Sequence, residues 1–517
     1  MSTSAAISVA IRTGSYAGVL LMLVLHSTEL AAGTSSRSSA RAGSVYADAV
    51  VEEIAAFQPG TSAAQWMTRH PGDLIEKATP PQEVRDWGTR FKRGHWCLRA
   101  KSAGSIASGL LREVYFYPPG MPARAGLPDG ADPNALAMNA CTAHALSLEV
   151  EESSAGGSGS AAAAIEDALT RAYGVPRREP ISPYFLHEPS GWKGGVLMVV
   201  AGYDLPPPHN REIVLAIDAA AQADIENSTF ADTARSQHQY DLRIINEAMK
   251  LVPVDDTLKH TVLTSAGMQY RPNGNSAPNP QGAWPQYLGV LRQWLSATAH
   301  LGRTQRAAAL LVADRLVSMQ GLLPGDASFP AGQRKPWIKS RNDVELEKLG
   351  AKIGYSELAG GYFYFHNWAI QAWRLDGHGP AGTLAFLVLM GRGFDPSPGM
   401  CDGGAEQFRT VIAEGSKFLQ GSTDPAANAQ VHFMIGDAYA DIVALGTDGS
   451  QSPDNELPPP DQYRAGADKA RAAAIEQYRA GLRLDRSSVE ARSAWEKAWR
   501  LIAGLAPEQI RYYCIYD

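Results

Sequence analysis

The chain has 517 residues, 45% of them hydrophobic and 19% charged, with a formal net charge of −6. This is ordinary globular composition, which excludes disorder of the whole chain, and at roughly 100–200 residues per domain the length predicts two to four domains. Both signs of charge are interspersed and no basic stripe occurs, which excludes the electrostatic footprint of a nucleic-acid binder; the acidic balance favours solubility.

Residues 1–33 read as a signal peptide or N-terminal anchor. Arg12 precedes the apolar run Ala17–Leu25, and the small residues Ala31-Ala32-Gly33 offer a cleavage site, which is the layout of a secretory signal. The run is too short to cross a hydrocarbon core of ~30 Å, which needs about 20 apolar residues. Stretching it over Ser15–Ala32 would bury His26 and Glu29. No cysteine follows the run, so a lipoprotein anchor is not expected. The expectation is an exported protein, periplasmic or secreted, with anchoring as the alternative; membrane contact follows only if the N-terminal apolar segment is retained. Residues 34–43, rich in Ser, Arg and Ala, form a flexible lead-in.

Residues 44–220 read as an α+β domain. Val45–Phe57 has helical spacing, with Val50, Val51, Ile54 and Phe57 on one side. Strand-like runs follow at His95–Ala100, Leu111–Tyr117, Ala145–Glu151, Gly195–Tyr203 and Glu212–Asp218, and Tyr115-Phe116-Tyr117 ends in the turn Pro118-Pro119-Gly120. Between them, Ser160–Tyr173 reads as a helix closed by Gly174. The simplest arrangement is an antiparallel sheet with packed helices.

Beyond Asp218 strand signals fade and helical pairs take over: a helical domain at 221–400, then helical hairpins at 401–517. The predicted pairs are Gln237–Leu251 with Asp256–Met268, Pro285–Leu301 with Thr304–Met319, Tyr362–Leu375 with Pro380–Met390, Gly404–Leu419 with Ala426–Leu445, and Ala467–Leu484 with Ser488–Gly504. Asp256 and Ser488 are N-cap candidates, and Pro380 suits a first helical position. Leu323–Glu345 reads as irregular. Short connections imply antiparallel neighbours.

The segment Ala474-x-x-x-Tyr478-x-x-Gly481-Leu482-x-Leu484-Asp485 resembles the second helix of a tetratricopeptide repeat, in which small residues let helices approach and the aromatic fills the space between hairpins. Upstream, Ile435-Gly436-x-x-Tyr439 is similar to the family's first helix, and Trp495 and Trp499 fall at first-helix spacing downstream. Arg486 departs from the family's terminal proline, and Gly446–Arg464, with Pro458-Pro459-Pro460, lengthens the hairpin turn. The resemblance covers about residues 400–505 and implies repeat packing through Ile435, Gly436, Tyr439, Ala474, Tyr478, Gly481, Leu484, Trp495 and Trp499. It predicts that Tyr478 is wedged between helices while Arg479, one residue on, points away.

The four cysteines are Cys97, Cys141, Cys401 and Cys514. None forms a C-x-x-C pair, so zinc-ribbon and thioredoxin chemistry are excluded. An even count permits bridges Cys97–Cys141 and Cys401–Cys514, but a chain this long does not need staples, so four unpaired thiols are the favoured expectation.

Tests for chemistry find little. Gly104–Gly109 lacks the lysine of a nucleotide-binding loop, and neither a GxSxG elbow nor an HExxH pair occurs. Tyr362–Trp368, with His366, followed by Trp373, Asp376 and His378, has residue types that bind a metal or a sugar, yet not a ligand spacing; packing between hairpins is the favoured role. Cys401 precedes a helix and would need a base such as His432. Trp87, His95, Trp96, Arg99, Glu113 and Tyr115 gather polar and aromatic groups near strands, where alternation of core and solvent faces is the favoured explanation over a ligand cleft. No catalytic residue, cofactor or metal is assigned. The expected function is binding or scaffolding of protein or peptide partners along a helical-repeat groove; a hydrolase with its site in the N-terminal domain is the alternative.

Overall fold

The structure, a computed structural model, describes residues 47–77, 96–103, 110–122, 126–151, 159–175, 177–178, 190–192, 196–201, 211–217, 230–267, 284–319, 339, 341–356, 361–394, 406–446 and 461–507. The signal-like segment, Gly104–Gly109, Trp87, His95, Cys401, Cys514 and most of the Gly446–Arg464 loop lie outside them.

The first part is built on helix α1 (47–56), α2 (Ala63–Arg69), α3 (Pro133–Ala140) and α4 (Gly159–Tyr173), with strands β1 (Leu74–Lys77), β2 (Leu98–Lys101), β3 (Leu110–Tyr117), β4 (Thr142–Glu151), β5 (Arg177–Arg178), β6 (Ser190–Trp192), β7 (Val196–Ala201) and β8 (Arg211–Ile217). These strands form one sheet in the order β1-β2-β3-β4-β8-β7-β6-β5, and every neighbouring pair is antiparallel. The five predicted strand runs appear as β2, β3, β4, β7 and β8. The segments α2, α3, β1, β5 and β6 are not predicted from periodicity. Local chemistry still accounts for two of them: Ser62 and Gln65 form a capping box on α2, and Asp132 caps α3, whose first residue is Pro133. Gly174 ends α4 at a φ of 90°.

The sheet has two chemically distinct faces. Leu98, Ala100, Val114, Phe116, Leu146 and Leu148 enter a hydrophobic core with residues of α1, α2 and α4. Arg99, Glu113 and Tyr115 alternate with them. Cys97 and Cys141 form a disulfide inside this core, with Cα atoms 6.6 Å apart, so the expectation of unpaired thiols is corrected for this pair. The bridge ties the residue before β2 to the residue before β4, a contact that sequence spacing does not report. Such bonds form and persist in oxidising environments. Serine at both positions should lower unfolding free energy by about 2–4 kcal/mol; denaturant titrations of the double variant and the unreduced protein check this, and identical midpoints would refute it.

The second part is helical: α5 (Phe230–Lys250), α6 (Asp256–Gly267), α7 (Trp284–Ala297), α8 (Arg303–Ser318), α9 (Arg341–Lys348), α10 (Asn367–Asp376), α11 (Pro380–Met390), α12 (Glu406–Gly421), α13 (Pro425–Leu445), α14 (Asp461–Leu484) and α15 (Val489–Ile502). The expected helical pairs are present, with Pro380 at the first position of α11 and Ser488 capping α15 through Ala491 N. Several expectations are corrected. The side chain of Asp255, not Asp256, accepts from an amide of the first turn of α6, Thr257 N at 2.9 Å. The supposedly irregular stretch ends in α9. The aromatic run Tyr362–Phe365 is not the start of a helix: β9 (Ile353–Ser356) and β10 (Gly361–Tyr364) form an antiparallel hairpin, and α10 begins only at Asn367. A short continuous apolar run satisfies strand and helix templates alike.

Three hydrophobic cores result. One lies among α5–α11 and the hairpin, and a second joins α11, α12 and α13. The core of the sheet continues through Ala429, Phe433, Tyr478, Trp495, Trp499 and Leu505, so residues 44–220 and 401–517, read from sequence as separate domains, contribute to one core. Arg500 Nη1 donates to Trp96 O at 3.1 Å across this junction. Among the described residues no helix is long and apolar enough to cross a membrane.

Candidate functional site

The strongest concentration of buried charge lies where α5, α8, β10 and α10 meet. Asp314 and Arg315 sit near the end of α8, a helix buried on all sides from Ala307 to Val317. Arg315 is 1% exposed. Its Nη1 donates to Asp241 Oδ1 of α5 at 3.0 Å, and its Nη2 and Nε donate to Asp314 Oδ2 at 2.6 and 3.2 Å. His366 is 4% exposed, with Nδ1 3.1 Å from Arg315 Nη2 and 3.2 Å from Asp314 Oδ2. The Tyr240 hydroxyl is buried and finds no hydrogen-bond partner among the described residues.

The geometry explains why charge is tolerated here. His366, the residue before α10, has φ 51° and ψ 28°, a left-handed conformation, and its side chain makes no capping bond. The amides of the first turn of α10, which lack partners within the helix, are satisfied from elsewhere: Trp368 N donates to Tyr364 Oη at 3.1 Å, and Ala369 N donates to Asp314 Oδ1 at 3.1 Å. Burial would raise the Asp314 carboxyl, but His366 and Arg315 outweigh it and hold it well below the ordinary carboxylate range. Burial lowers His366 below its usual value, against the opposing pull of Asp314. Burial also lifts the Tyr364 hydroxyl well above 10, helped by Asp314. The cluster therefore anchors the start of α10.

Other residues singled out from sequence separate into distinct places. Asp376 lies at the far end of α10, where its Oδ2 accepts from Ala381 N and Gly382 N at 2.9 and 3.0 Å and so caps α11; His378 packs on Phe418, ring centroids 5.0 Å apart. The His366, Asp376 and His378 combination thus does not converge, and among the described residues no group of three or more His, Cys, Asp or Glu is placed to hold a metal. His432 is engaged by Gln477, Nδ1 to Oε1 at 2.7 Å. On the polar face of the sheet, four of the residues singled out from sequence meet: Arg99 Nη1 donates to Glu113 Oε1 at 3.3 Å, Tyr115 Oη donates to Glu113, and Trp96 lies edge-on to Tyr115 at 5.3 Å. Burial raises the Tyr115 hydroxyl well above its ordinary value, with Glu113 adding to it.

The repeat-like residues pack closely. A Cβ on Gly436 would lie 2.7 Å from the Tyr478 ring, and one on Gly481 would lie 2.4 Å from Phe433. Tyr478 Oη donates to Asp437 Oδ1 at 2.7 Å, and Lys497 Nζ of α15 donates to the same oxygen at 2.9 Å. Ile435, Ala474, Trp495 and Trp499 are buried and Tyr439 is half-buried. Leu484 departs from its expected packing role: it is 46% exposed, in the last turn of α14. Arg479 does not point away into solvent; it pairs with Asp129 and donates to Pro128 O at 3.5 Å.

The fold so defined is an α+β protein in which an antiparallel sheet with helices is followed by paired helices. Compared with known proteins, the chain matches no family model, no curated protein and no solved structure.

Proposed function

We propose that this is an exported protein, periplasmic or secreted, whose C-terminal helices form a tetratricopeptide-like array that scaffolds or binds a protein or peptide partner. The observation that carries the reading is the stacking order. α10 pairs with α11, α12 with α13, α13 with α14 and α14 with α15, and α11 also touches α13, which in turn touches α15. Equivalent helices of neighbouring hairpins touch in this way in a stacked repeat array. The glycine–aromatic contacts of Gly436 with Tyr478 and Gly481 with Phe433 are the packing that the motif calls for. The disulfide supports export.

The groove expected from sequence is not open along its inner helices. α8, α11 and α13 are buried through most of their lengths, α5 lies against α8 and α11, and α13 shares a core with the sheet. A partner would therefore use the exposed faces of α12 and α14, which carry Lys417 and Lys469. Amine cross-linking of the native exported fraction, read by mass spectrometry, should join a second protein to these lysines. A protein that cross-links to nothing there and elutes alone at its native concentration would overturn the reading.

A further inference from the structure

The buried cluster contains an imidazole placed between two incompatible partners. Nδ1 of His366 is 3.1 Å from a guanidinium nitrogen that can only donate and 3.2 Å from a carboxylate oxygen that can only accept. One ring nitrogen serves one of them at a time: a bare Nδ1 accepts from Arg315, and an Nδ1–H donates to Asp314. We propose that His366 is a proton-sensitive latch on the N-terminus of α10: in the neutral Nε2–H tautomer its Nδ1 accepts from Arg315, and in the doubly protonated ring its Nδ1–H turns to Asp314 while its charge opposes Arg315, which loosens the cap.

The surrounding charges set the direction. α8 supplies Asp314 and Arg315, α5 supplies Asp241 and Tyr240, β10 supplies Tyr364, and Arg392 acts from the turn after α11, where its Nη2 donates to Ser318 Oγ at 2.9 Å. Two carboxylates then face two guanidiniums, and a neutral imidazole leaves the set balanced. A proton on His366 adds an uncompensated positive charge at a site closed to water, where charge is costly. The carboxylate that receives the new bond is the one that caps Ala369 N through its other oxygen, so the disturbance falls on the first turn of α10. The left-handed backbone at His366 is a conformation that non-glycine residues keep only when their surroundings hold it, so a weakened side-chain bond also weakens the entry to the helix.

The sign follows from the shift of His366 below its ordinary 6.5 on burial. The opened segment binds the proton more readily than the closed one. Protection is therefore complete above about 6.5 and is lost as pH falls toward the folded value. In the full chain, amide exchange at Trp368 and Ala369, corrected for intrinsic rates, should accelerate roughly tenfold per pH unit through that window, while amides in the middle of α13 stay flat. His366→Asn tolerates the left-handed backbone, keeps an acceptor for Arg315 and does not titrate, so its exchange at the same two amides should be flat with pH. An equal pH slope in the variant and the natural protein would overturn the latch. Should the variant fail to fold, ring resonances of labelled histidine in the natural protein decide: protonation of His366 without loss of protection at Trp368 and Ala369 also overturns it.

Discussion

Arg315→Leu should destabilise the protein by on the order of 3–5 kcal/mol, the cost of removing one partner from a buried charge cluster, and should move its loss of stability in acid to higher pH. Arg315 is the guanidinium shared by Asp241 and Asp314, with bonds of 3.0 and 2.6 Å. In the natural protein the Asp314 carboxyl is held below its unfolded value. Its contribution is therefore present above the unfolded value and lost as pH falls through the folded one, and the depressed His366 acts in the same direction nearer neutrality. Without Arg315, only His366 still opposes burial at the Asp314 carboxyl, which moves up from its depressed position, so the stability it contributes is lost at higher pH than in the natural protein. Thermal unfolding followed from neutral pH into acid distinguishes the cases: the fall in melting temperature should begin at higher pH in the variant. A variant whose loss in acid begins at the natural pH would show that the guanidinium does not set the Asp314 carboxyl.

Tyr478→Ala should cost about 3–5 kcal/mol, from lost burial and the cavity left behind. Tyr478 is 0% exposed, its ring lies over Gly436, and its hydroxyl donates to Asp437. Truncation also removes a donor from a buried carboxylate that Lys497 ties to α15. The contrasting substitution is Arg483→Ala, on the exposed side of the same helix, which should change stability by less than about 0.5 kcal/mol. Arg479 is unsuited to that role, because it pairs with Asp129 near the sheet. Denaturant unfolding of both variants is the measurement. Equal, small effects would remove Tyr478 from the core and with it the repeat-like packing of α14.

The long helices were legible in the sequence because their apolar residues recur at 3.6-residue spacing over two or more turns. The packing of Gly436 and Gly481 against aromatics was legible because small–aromatic spacing reflects helix approach directly. The hairpin β9–β10 was not: Tyr362–Phe365 is apolar without a break, and what makes Gly361–Tyr364 a strand is pairing with Ile353–Ser356. The charged cluster was illegible for a related reason. Asp241, Arg315 and His366 are separated by 74 and 51 positions, so no local pattern couples them; His366 stood out only for its aromatic neighbours.

By itself the sequence determined the α+β class, the antiparallel sheet, the helical pairs and several of their caps, since each depends on propensity, periodicity or capping within a few residues. Tertiary structure decided what those elements are for. It joined Cys97 to Cys141, merged the sheet and the C-terminal helices into one core, turned Asp314 into a cap for the amide of a residue 55 positions away, and covered the inner helices that a repeat array would otherwise expose. These outcomes depend on which surfaces meet, and burial, charge pairing and bond formation between distant segments are settled only when they do.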